Sequence, residues 1–486
     1  MRRPRTSAIL VVLASVVAAH RPLGGQNPQQ QGSAAAGKLA LTTNSAAAKA
    51  EFWAGLEDWQ SGTYTSGQQH FRRAAALDGG FALARVFATG EYALSQQQLV
   101  DRDRGVTDAV NQSTEEGILA LFWREKALGH AEQERALLRA AMQLMPNEPS
   151  IYVEYLWASY NGIDPKQTLD TARAYVAKFP TYGPLRFVLP IYALRVGDTT
   201  GALRGAEEYV RIAPQTPMAY GYYGGLLQQL GRTADAEVQY RKGMALLPAH
   251  ADYGNDAVSA LAELYAMRGK YVQARAVATE ALSRVTTAYD SAMYMTEIAG
   301  TYFATGDNRQ GMQLLEEARE KSTIIGNANG PDRLDAILAE ANATYGDGRS
   351  IGRYLDRLQP FNAVDSARTL LMRARAYGYG GQLDSALAAS DRLVNNTTVD
   401  GRELWAHRMR GVAFANAKQC SRALPELAQA ADTTSFEVLD ARAQCEMQLG
   451  HKSAALALRD RALASQDFSL FYTPMIRDRL RLAQMK

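Results

Sequence analysis

Four prolines, Pro146, Pro180, Pro214 and Pro248, are evenly spaced along the chain, each numbered 34 higher than the one before. A fixed period of about 20 to 50 residues is typical of a solenoid, in which one supersecondary unit is repeated along the chain. Because proline disfavours helix at the residue before it, each of these positions is expected to end a helix. The period therefore predicts a repeat array, rather than the few unrelated domains usual for a chain of 486 residues.

The unit that ends at Pro248 has the periodicity of two short helices. Tyr220, Tyr223 and Leu227 are spaced i, i+3 and i+7, which places them on one stripe of a first helix. Gly231 follows where this helix must end, a position that favours a residue free to adopt positive φ. The residues from there to Pro248 form a second helix, so the unit is predicted to be a helical hairpin.

Small and bulky residues are placed in this unit as close packing of hairpins requires. Gly224, Ala236 and Gly243 would let helix axes approach one another, and Tyr240 would fill the space between them. A single hairpin cannot bury its own apolar face, so such units must stack on their neighbours. The units on both sides repeat these landmarks with more variation, whereas the polar segment 95–113 fits no unit.

This pattern resembles the tetratricopeptide repeat (TPR) motif at nearly every marked position. The landmarks that carry the resemblance are Tyr220, Tyr223, Gly224, Leu227, Gly231, Ala236, Tyr240, Gly243 and Pro248. The resemblance implies an all-α fold, an α-solenoid of TPR-type helical hairpins that forms a right-handed superhelix. First helices would line its concave face. We expect roughly ten to twelve hairpins within 44–469, and a helix within 470–486 that caps the open end of the stack.

The N-terminal segment 1–25 has the layout of a secretory signal peptide. Several arginines precede an apolar run from Ala8 to Ala19, and small residues follow. The run is too short for the roughly 20 residues that span a bilayer, although an uncleaved anchor is an alternative. Residues 26–43, which begin with a Gln-, Ala- and Gly-rich stretch, would form a flexible leader. We therefore expect an exported protein, periplasmic or extracellular after cleavage of the signal.

Charge and cysteine content narrow the partners and the compartment. The chain has a formal charge of +3, and loss of the four arginines in 1–25 would leave −1. A near-neutral exported chain is a poor candidate for nucleic-acid binding. Cys420 falls at the turn of one predicted unit and Cys445 late in the first helix of the next. In an oxidising compartment the two would form a disulfide, and the alternative is a pair of separate buried thiols.

No catalytic constellation stands out in the sequence. None of the six histidines has a metal-ligand spacing, and His130 with Glu134 is better explained as an exposed pair at a helix start. Carboxylate clusters fall on second helices, where solvent-exposed faces explain them. We therefore expect a non-enzymatic protein that needs no cofactor and no metal.

The concave face is the remaining candidate for function. In the TPR family, ligand contacts come from particular positions of the first helix. Those positions correspond here to Trp123, Lys126, Trp157, Tyr160, Asn161, Phe187, Arg195, Gln228 and Gln229. The resemblance thus implies a partner-binding surface with an aromatic strip, for a protein or peptide of unknown identity. The alternative is that these rings pack between repeats. A glycan-binding protein or enzyme on an α/α scaffold, and an RNA-binding helical repeat, are competing hypotheses.

Overall fold

The computed structural model describes eleven stretches of the chain. These are residues 37–60, 64–89, 96–160, 163–246, 256–285, 288–323, 329–358, 363–396, 401–430, 432–465 and 469–486. The predicted signal peptide 1–25, most of the leader, and Asn161 lie outside the described residues.

Every regular element in these stretches is an α-helix, and the described part of the chain contains no strand. The first half comprises α1 (Ala46–Gln60), α2 (Tyr64–Leu77), α3 (Ala82–Ala88), α4 (Gln96–Gln112), α5 (Thr114–Leu128), α6 (Ala131–Leu144), α7 (Pro149–Ala158), α8 (Pro165–Lys178), α9 (Gly183–Arg195), α10 (Thr199–Ile212), α11 (Pro217–Gln229) and α12 (Thr233–Ala245). The second half comprises α13 (Asp256–Met267), α14 (Tyr271–Leu282), α15 (Ala288–Ala304), α16 (Asn308–Thr323), α17 (Asn329–Tyr345), α18 (Ile351–Leu355), α19 (Ala363–Tyr379), α20 (Leu383–Val394), α21 (Arg402–Asn416), α22 (Cys420–Ala428), α23 (Phe436–Gln448), α24 (Lys452–Ala464) and α25 (Thr473–Gln484).

The helices from α1 to α24 form twelve consecutive pairs, and α25 follows them. First helices of successive pairs pack side by side, as when the Phe187 ring of α9 meets the Tyr222 ring of α11 at 5.0 Å. This confirms the predicted all-α solenoid of TPR-type hairpins. None of the described helices combines the length and apolar character that a membrane span requires.

Glycine ends first helices where the period predicts it. Gly231 follows α11 with φ of +74°, and Gly197 and Gly269 stand at the corresponding turns with φ of +79° and +70°. In this left-handed region a side chain would be strained, so glycine closes the turn at least cost.

Two glycines of the α11–α12 pair allow close approach of helices. A Cβ built on Gly224 would lie 2.5 Å from Cε1 of Tyr240, the ring that fills the hairpin. A Cβ on Gly243 would lie 2.8 Å from Cβ of Ala257 in the next pair. One glycine therefore sets the packing inside a hairpin, and the other sets the packing between hairpins.

We expect Gly224→Ala to destabilise the chain and Gly225→Ala to leave it equally or more stable. The added methyl group meets the buried Tyr240 ring at the first position, which costs roughly 1–3 kcal/mol of unfolding free energy. At Gly225 the nearest atom is the Tyr240 hydroxyl at 3.8 Å, and alanine favours helix by about 1 kcal/mol. Urea unfolding of both variants measures the difference. Equal stability of the two would contradict this packing.

The polar segment 95–113, which fitted no predicted unit, contains α4. This helix pairs with α3 through a narrow apolar stripe in which Val106 and Ala109 are buried. Gly105 also allows close approach, since a Cβ there would lie 2.9 Å from Cγ2 of Val86. The segment matched no unit because α4 packs on both α3 and α5 through few apolar residues.

Cys420 and Cys445 form a disulfide between α22 and α23, with Cα atoms 5.0 Å apart. Both residues are buried. The bond therefore joins the second helix of one pair to the first helix of the next.

We expect reduction of this disulfide to lower stability. Opening a loop with a sequence separation of 25 residues increases the entropy of the unfolded chain, which corresponds to about 3 kcal/mol in the chain-entropy account. Thermal unfolding of the wild type should shift to lower temperature on addition of reductant. The Cys420→Ala/Cys445→Ala variant should show no such shift, and a reductant-insensitive wild type would contradict the prediction.

The C-terminal helix packs on earlier helices as well as on the last pair at the open end of the stack. α25 contacts α23 and α24, as a cap would, but it also contacts α15 and α17. The backbone N–H of Leu470 donates to Glu263 of α13 (3.3 Å), and the Tyr345 hydroxyl of α17 donates to the Thr473 carbonyl (3.3 Å). The chain therefore folds back along first helices of earlier pairs, because their faces offer burial for Leu470 and Ile476.

Candidate partner-binding surface

Trp123, expected on the binding surface, is a core residue with an exposed fraction of 1%. Its ring stacks on Phe87 with centroids 4.2 Å apart and meets the edge of Trp59 at 5.0 Å. The packing alternative therefore applies at this position. The first two hairpins cover the ring. The position of Trp123 within its own helix does not reveal this contact.

Lys126 is engaged in a contact between repeats. Its Nζ lies 3.0 Å from Oε2 of Glu154 on α7 and 5.5 Å from the centre of the Trp123 ring. The Gln60 side chain of α1 donates to the same carboxylate of Glu154 (3.2 Å). Both ions are largely buried, so this pair joins α5 to α7 rather than facing a partner.

The aromatic ladder is the row of rings formed by Trp157 of α7, Tyr160 just after α7, Phe187 of α9 and Tyr222 of α11. Trp157 lies 6.1 Å from Phe187 and 6.5 Å from Tyr160, between ring centroids. Phe187 is buried, whereas Trp157 and Tyr160 are partly exposed. Three of the four rings predicted for the strip therefore lie in one row with Tyr222, and Phe187 lies between Trp157 and Tyr222.

Of the polar residues predicted for this surface, Arg195 and Gln228 have hydrogen-bond partners within the chain. The Arg195 guanidinium stacks on the Tyr160 ring at 4.1 Å and donates to the Tyr160 carbonyl. Gln228 accepts from the Tyr240 hydroxyl (3.0 Å), so its side chain supports the α11–α12 hairpin. Arg195 and Gln229 are exposed, and Asn161 lies outside the described residues.

The α1 cavity has a volume of about 520 Å³. It opens between α1 and the short segments that directly precede α7, α9 and α11. The side chains that define it are Trp53, Glu57, Glu148, Tyr182, Tyr209 and Ile212. Trp53 and Ile212 are the exposed apolar residues of this set. Sequence reasoning missed the cavity because its walls come from helices far apart in the chain.

The α1 cavity is acidic. Glu57 is exposed, and Glu148 accepts from the Ser150 hydroxyl at 2.8 Å, while among the described residues no lysine or arginine lines the space. The Tyr182 hydroxyl donates to the Gln60 side chain. Burial raises the pKa of Tyr182 well above its ordinary value, and the carboxylates of Glu148 and nearby residues raise it further. A cationic group would therefore be favoured in this space.

Part of the N-terminal leader lies across the starts of first helices beside the cavity. The Thr42 N–H donates to Oε1 of Glu116 at 2.5 Å, and the Leu39 N–H approaches Oε2 of Glu148 at 3.5 Å. The Asn147 N–H donates to the Gly37 carbonyl (2.8 Å). Carboxylates at the starts of α5 and α7 thus already accept hydrogen bonds from backbone N–H groups of an irregular segment.

A cluster of buried charges occupies the second half of the chain. Arg408 donates to Glu437 (2.7 Å), and Arg375 lies 3.4 Å from Glu437 and 3.7 Å from Glu340. Burial alone would raise the pKa of Glu437, but the two guanidinium groups lower it to about 2. Burial raises the pKa of Glu340 to about 7, because Arg375 opposes it only in part.

Stability should fall as pH rises through the titration of Glu340. Between its unfolded pKa of 4.5 and its folded pKa of about 7, the folded chain holds a proton that the unfolded chain releases. This gives a loss of at most about 3 kcal/mol between pH 4.5 and pH 8. Glu340→Gln, which mimics the protonated acid, should lose less stability over this range. Urea unfolding at both pH values measures the difference. Glu317→Gln, at an exposed position of α16, is the control, and identical pH slopes for Glu340→Gln and the wild type would contradict the assignment.

No protein-family model matches this chain, and no curated protein matches it. Among the described residues, no group of three or more His, Cys, Asp or Glu side chains could hold a metal ion. Paired helices, the even spacing of the four prolines and the turn glycines decide the fold type. The fold is TPR-like.

Solved structures with some similarity include three repeat proteins. A thermophilic TPR protein of Thermus thermophilus, TTC0263, is 23% identical over 35% of this chain and 91% of that chain, with a TM-score of 0.31. Human IFIT1, as a dimer with PPP-AAAA, is 14% identical over 84% of this chain and 94% of that chain, with a TM-score of 0.40. A chain of the APC/C hetero-tetramer Cut9–Hcn1 is 13% identical over 93% of this chain and 81% of that chain, with a TM-score of 0.39.

Proposed function

We propose that this chain is a non-enzymatic protein–protein interaction scaffold that binds a peptide segment of a partner on the first-helix face of its N-terminal half. The observation that carries the proposal is the α1 cavity, an open acidic space beside the aromatic ladder. The leader contacts support it, because carboxylates at this edge already accept hydrogen bonds from backbone N–H groups of Thr42 and Leu39. A partner segment can use the same mode of recognition.

The chemistry of the cavity favours a partner segment with a lysine or arginine side chain. Glu57 is exposed at the wall and has room for a cation, and the rings of Trp53 and Tyr182 can contact the aliphatic part of such a side chain. Aromatic anchors of this kind contribute a large share of binding energy at interfaces.

The N-terminal half is favoured over the C-terminal half because the α1 cavity opens there. In the second half, α25 and the residues before it cover first helices α13, α15 and α17. A partner would have to displace buried residues there, whereas Trp53 is 36% exposed and already accessible.

We further propose that the scaffold works in the bacterial cell envelope, periplasmic or extracellular after export. Two features support this setting. The segment 1–25 has the layout of a secretory signal, and the Cys420–Cys445 disulfide suits an oxidising compartment. The glycan-binding alternative is less favoured, because rings of the aromatic ladder face one another and leave little ring surface for a sugar.

Selection of peptides on the purified full chain, followed by titration of labelled peptides, tests the proposed function. We expect the selected peptides to contain a basic residue. Trp53→Ala and Glu57→Gln should each weaken binding by roughly tenfold, since an anchor ring or the charge complement is lost. Leu404→Ala, which removes an exposed apolar side chain from α21, is the matched control and should bind as the wild type does.

Two results would count against the proposal. Selected peptides without basic residues, or peptides that bind Trp53→Ala and the wild type equally, would place the partner elsewhere. Trp157→Ala and Tyr160→Ala extend the test to the aromatic ladder. Loss of binding in these two variants alone would assign the partner to the ladder rather than to the α1 cavity.

A further inference from the structure

A second cavity lies inside the C-terminal half, apart from the α1 cavity. This C-terminal cavity has a volume of about 200 Å³. Its walls come from α17, α19, α21, the start of α23 and the segment around the start of α25. The side chains of Arg375, Trp405, Arg408, Ser435, Glu437 and Tyr472 give it its chemical character. The space exists only because the C-terminal segment closes one of its sides.

Ser435 supplies an unused hydroxyl group to this cavity. The residue is 3% exposed, and its Oγ has no hydrogen-bond partner within the described residues. Ser435 immediately precedes α23, where a serine usually caps the helix by accepting a backbone N–H, yet its side chain makes no cap hydrogen bond. A buried hydroxyl without a partner costs free energy, and at the wall of a cavity it is available to a polar group of a ligand.

The guanidinium groups of the cavity are unequally satisfied. Arg408 has a short hydrogen bond to Glu437, whereas the Nε of Arg375 is buried without a hydrogen bond and lies 3.4 Å from Glu437. Glu437 also accepts from the Tyr379 hydroxyl (2.9 Å), so its oxygens are well supplied with donors. Arg375 therefore retains donor capacity that no close acceptor in the described residues uses.

Two aromatic rings flank these charges. The guanidinium of Arg408 lies 5.3 Å from the centre of the Trp405 ring, and that of Arg375 lies 5.0 Å from the centre of the Tyr472 ring. Tyr472 is 43% exposed and Trp405 partly exposed, so both rings stand where the buried floor meets solvent. Each guanidinium group therefore lies beside a partly exposed ring that the apolar body of a ligand could contact.

We propose that the C-terminal cavity binds a small monoanionic carboxylate with an apolar or aromatic body. The carboxylate accepts hydrogen bonds from the Arg375 guanidinium and the Ser435 hydroxyl, and the body lies against Trp405 and Tyr472. Ser435 precedes the first turn of α23, whose N-terminal end adds positive potential for the anion. Guanidinium groups bind carboxylates well because their donors match the two oxygen atoms.

The charge balance favours a monoanion over phosphate. Arg375 and Arg408 face the ionised Glu437 and the partly protonated Glu340, so the buried part of the lining carries between zero and one positive charge before Asp432 at the rim is counted. Asp432 is exposed at the rim, and its carboxylate is bound by the Thr434 hydroxyl (2.7 Å). A dianion would carry more charge than this site can neutralise.

Isothermal titration calorimetry of the full chain with phenylacetate tests the proposal. Phenylacetamide is the matched neutral probe and inorganic phosphate the dianionic one. We expect phenylacetate to bind roughly tenfold or more tightly than either, because one charged hydrogen bond is worth about that ratio. A peptide with a free C-terminal phenylalanine separates two sources of the same chemistry. Tighter binding of this peptide than of phenylacetate assigns the site to a chain terminus, and weaker binding assigns it to a free small acid.

Ser435→Ala is the decisive variant. Its hydroxyl has no hydrogen-bond partner within the described residues, so the melting temperature without ligand should be unchanged or higher, while phenylacetate affinity falls roughly fivefold to tenfold. Trp405→Ala should also weaken binding. Ser390→Ala is the control, since Ser390 is a buried serine on α20 whose hydroxyl donates to Ala386 (2.9 Å).

Three outcomes would overturn the proposal. These are equal affinity for phenylacetate and phenylacetamide, unchanged phenylacetate affinity in Ser435→Ala, and the absence of measurable binding by every probe. None of them bears on peptide binding at the α1 cavity.

Discussion

Close approach of helices at small residues is the constraint on which this structure depends. A hairpin exposes one apolar face on each side, and this face is buried only if the next hairpin comes near enough to touch it. Gly224 lets the Tyr240 ring fill its own hairpin, and Gly243 brings Ala257 of the next pair against α11 and α12. Each hairpin is therefore stabilised by its contacts with the adjacent hairpins, and the stack can lengthen without a single central core.

The local part of this design could be predicted from the sequence. The proline period, the stripe on α11 and the turn at Gly231 all depend on residues less than one unit apart, so their periodicity is visible in the chain itself. α4 was not predicted, because its local periodicity is weak and only Val106 and Ala109 form its apolar stripe. Register selected Trp157, Tyr160 and Phe187 of the aromatic ladder, because first-helix positions repeat, but it also selected the buried Trp123 and did not select Tyr222.

What occupies the first-helix faces could not be predicted, because it depends on contacts between distant parts of the chain. Leu470 reaches Glu263 across 207 residues, and Gln60 reaches Glu154 across 94 residues. No local pattern marks these pairs. Trp123 illustrates the consequence, since its position in the register is that of a groove residue while Trp59 and Phe87 bury it. The α1 cavity was missed because it forms only once α1 has folded against later hairpins.

The first-helix face is covered by α25 in the C-terminal half, whereas α25 does not cover it in the described part of the N-terminal half. In the C-terminal half Arg481 of α25 forms two hydrogen bonds with Asp440 of α23, at 2.6 and 2.7 Å. Separating Arg481 from the buried Asp440 leaves this carboxylate without its charged partner, which is costly, so a competing helix would have to replace these bonds as well as the apolar contacts. The same docking creates the C-terminal cavity, because Tyr472 forms part of its wall. By linkage, a ligand that binds only when this wall is in place stabilises the docked segment by the free energy of its own binding. Occupancy of the C-terminal cavity would therefore keep the second half closed and leave the open face of the N-terminal half as the surface for partners.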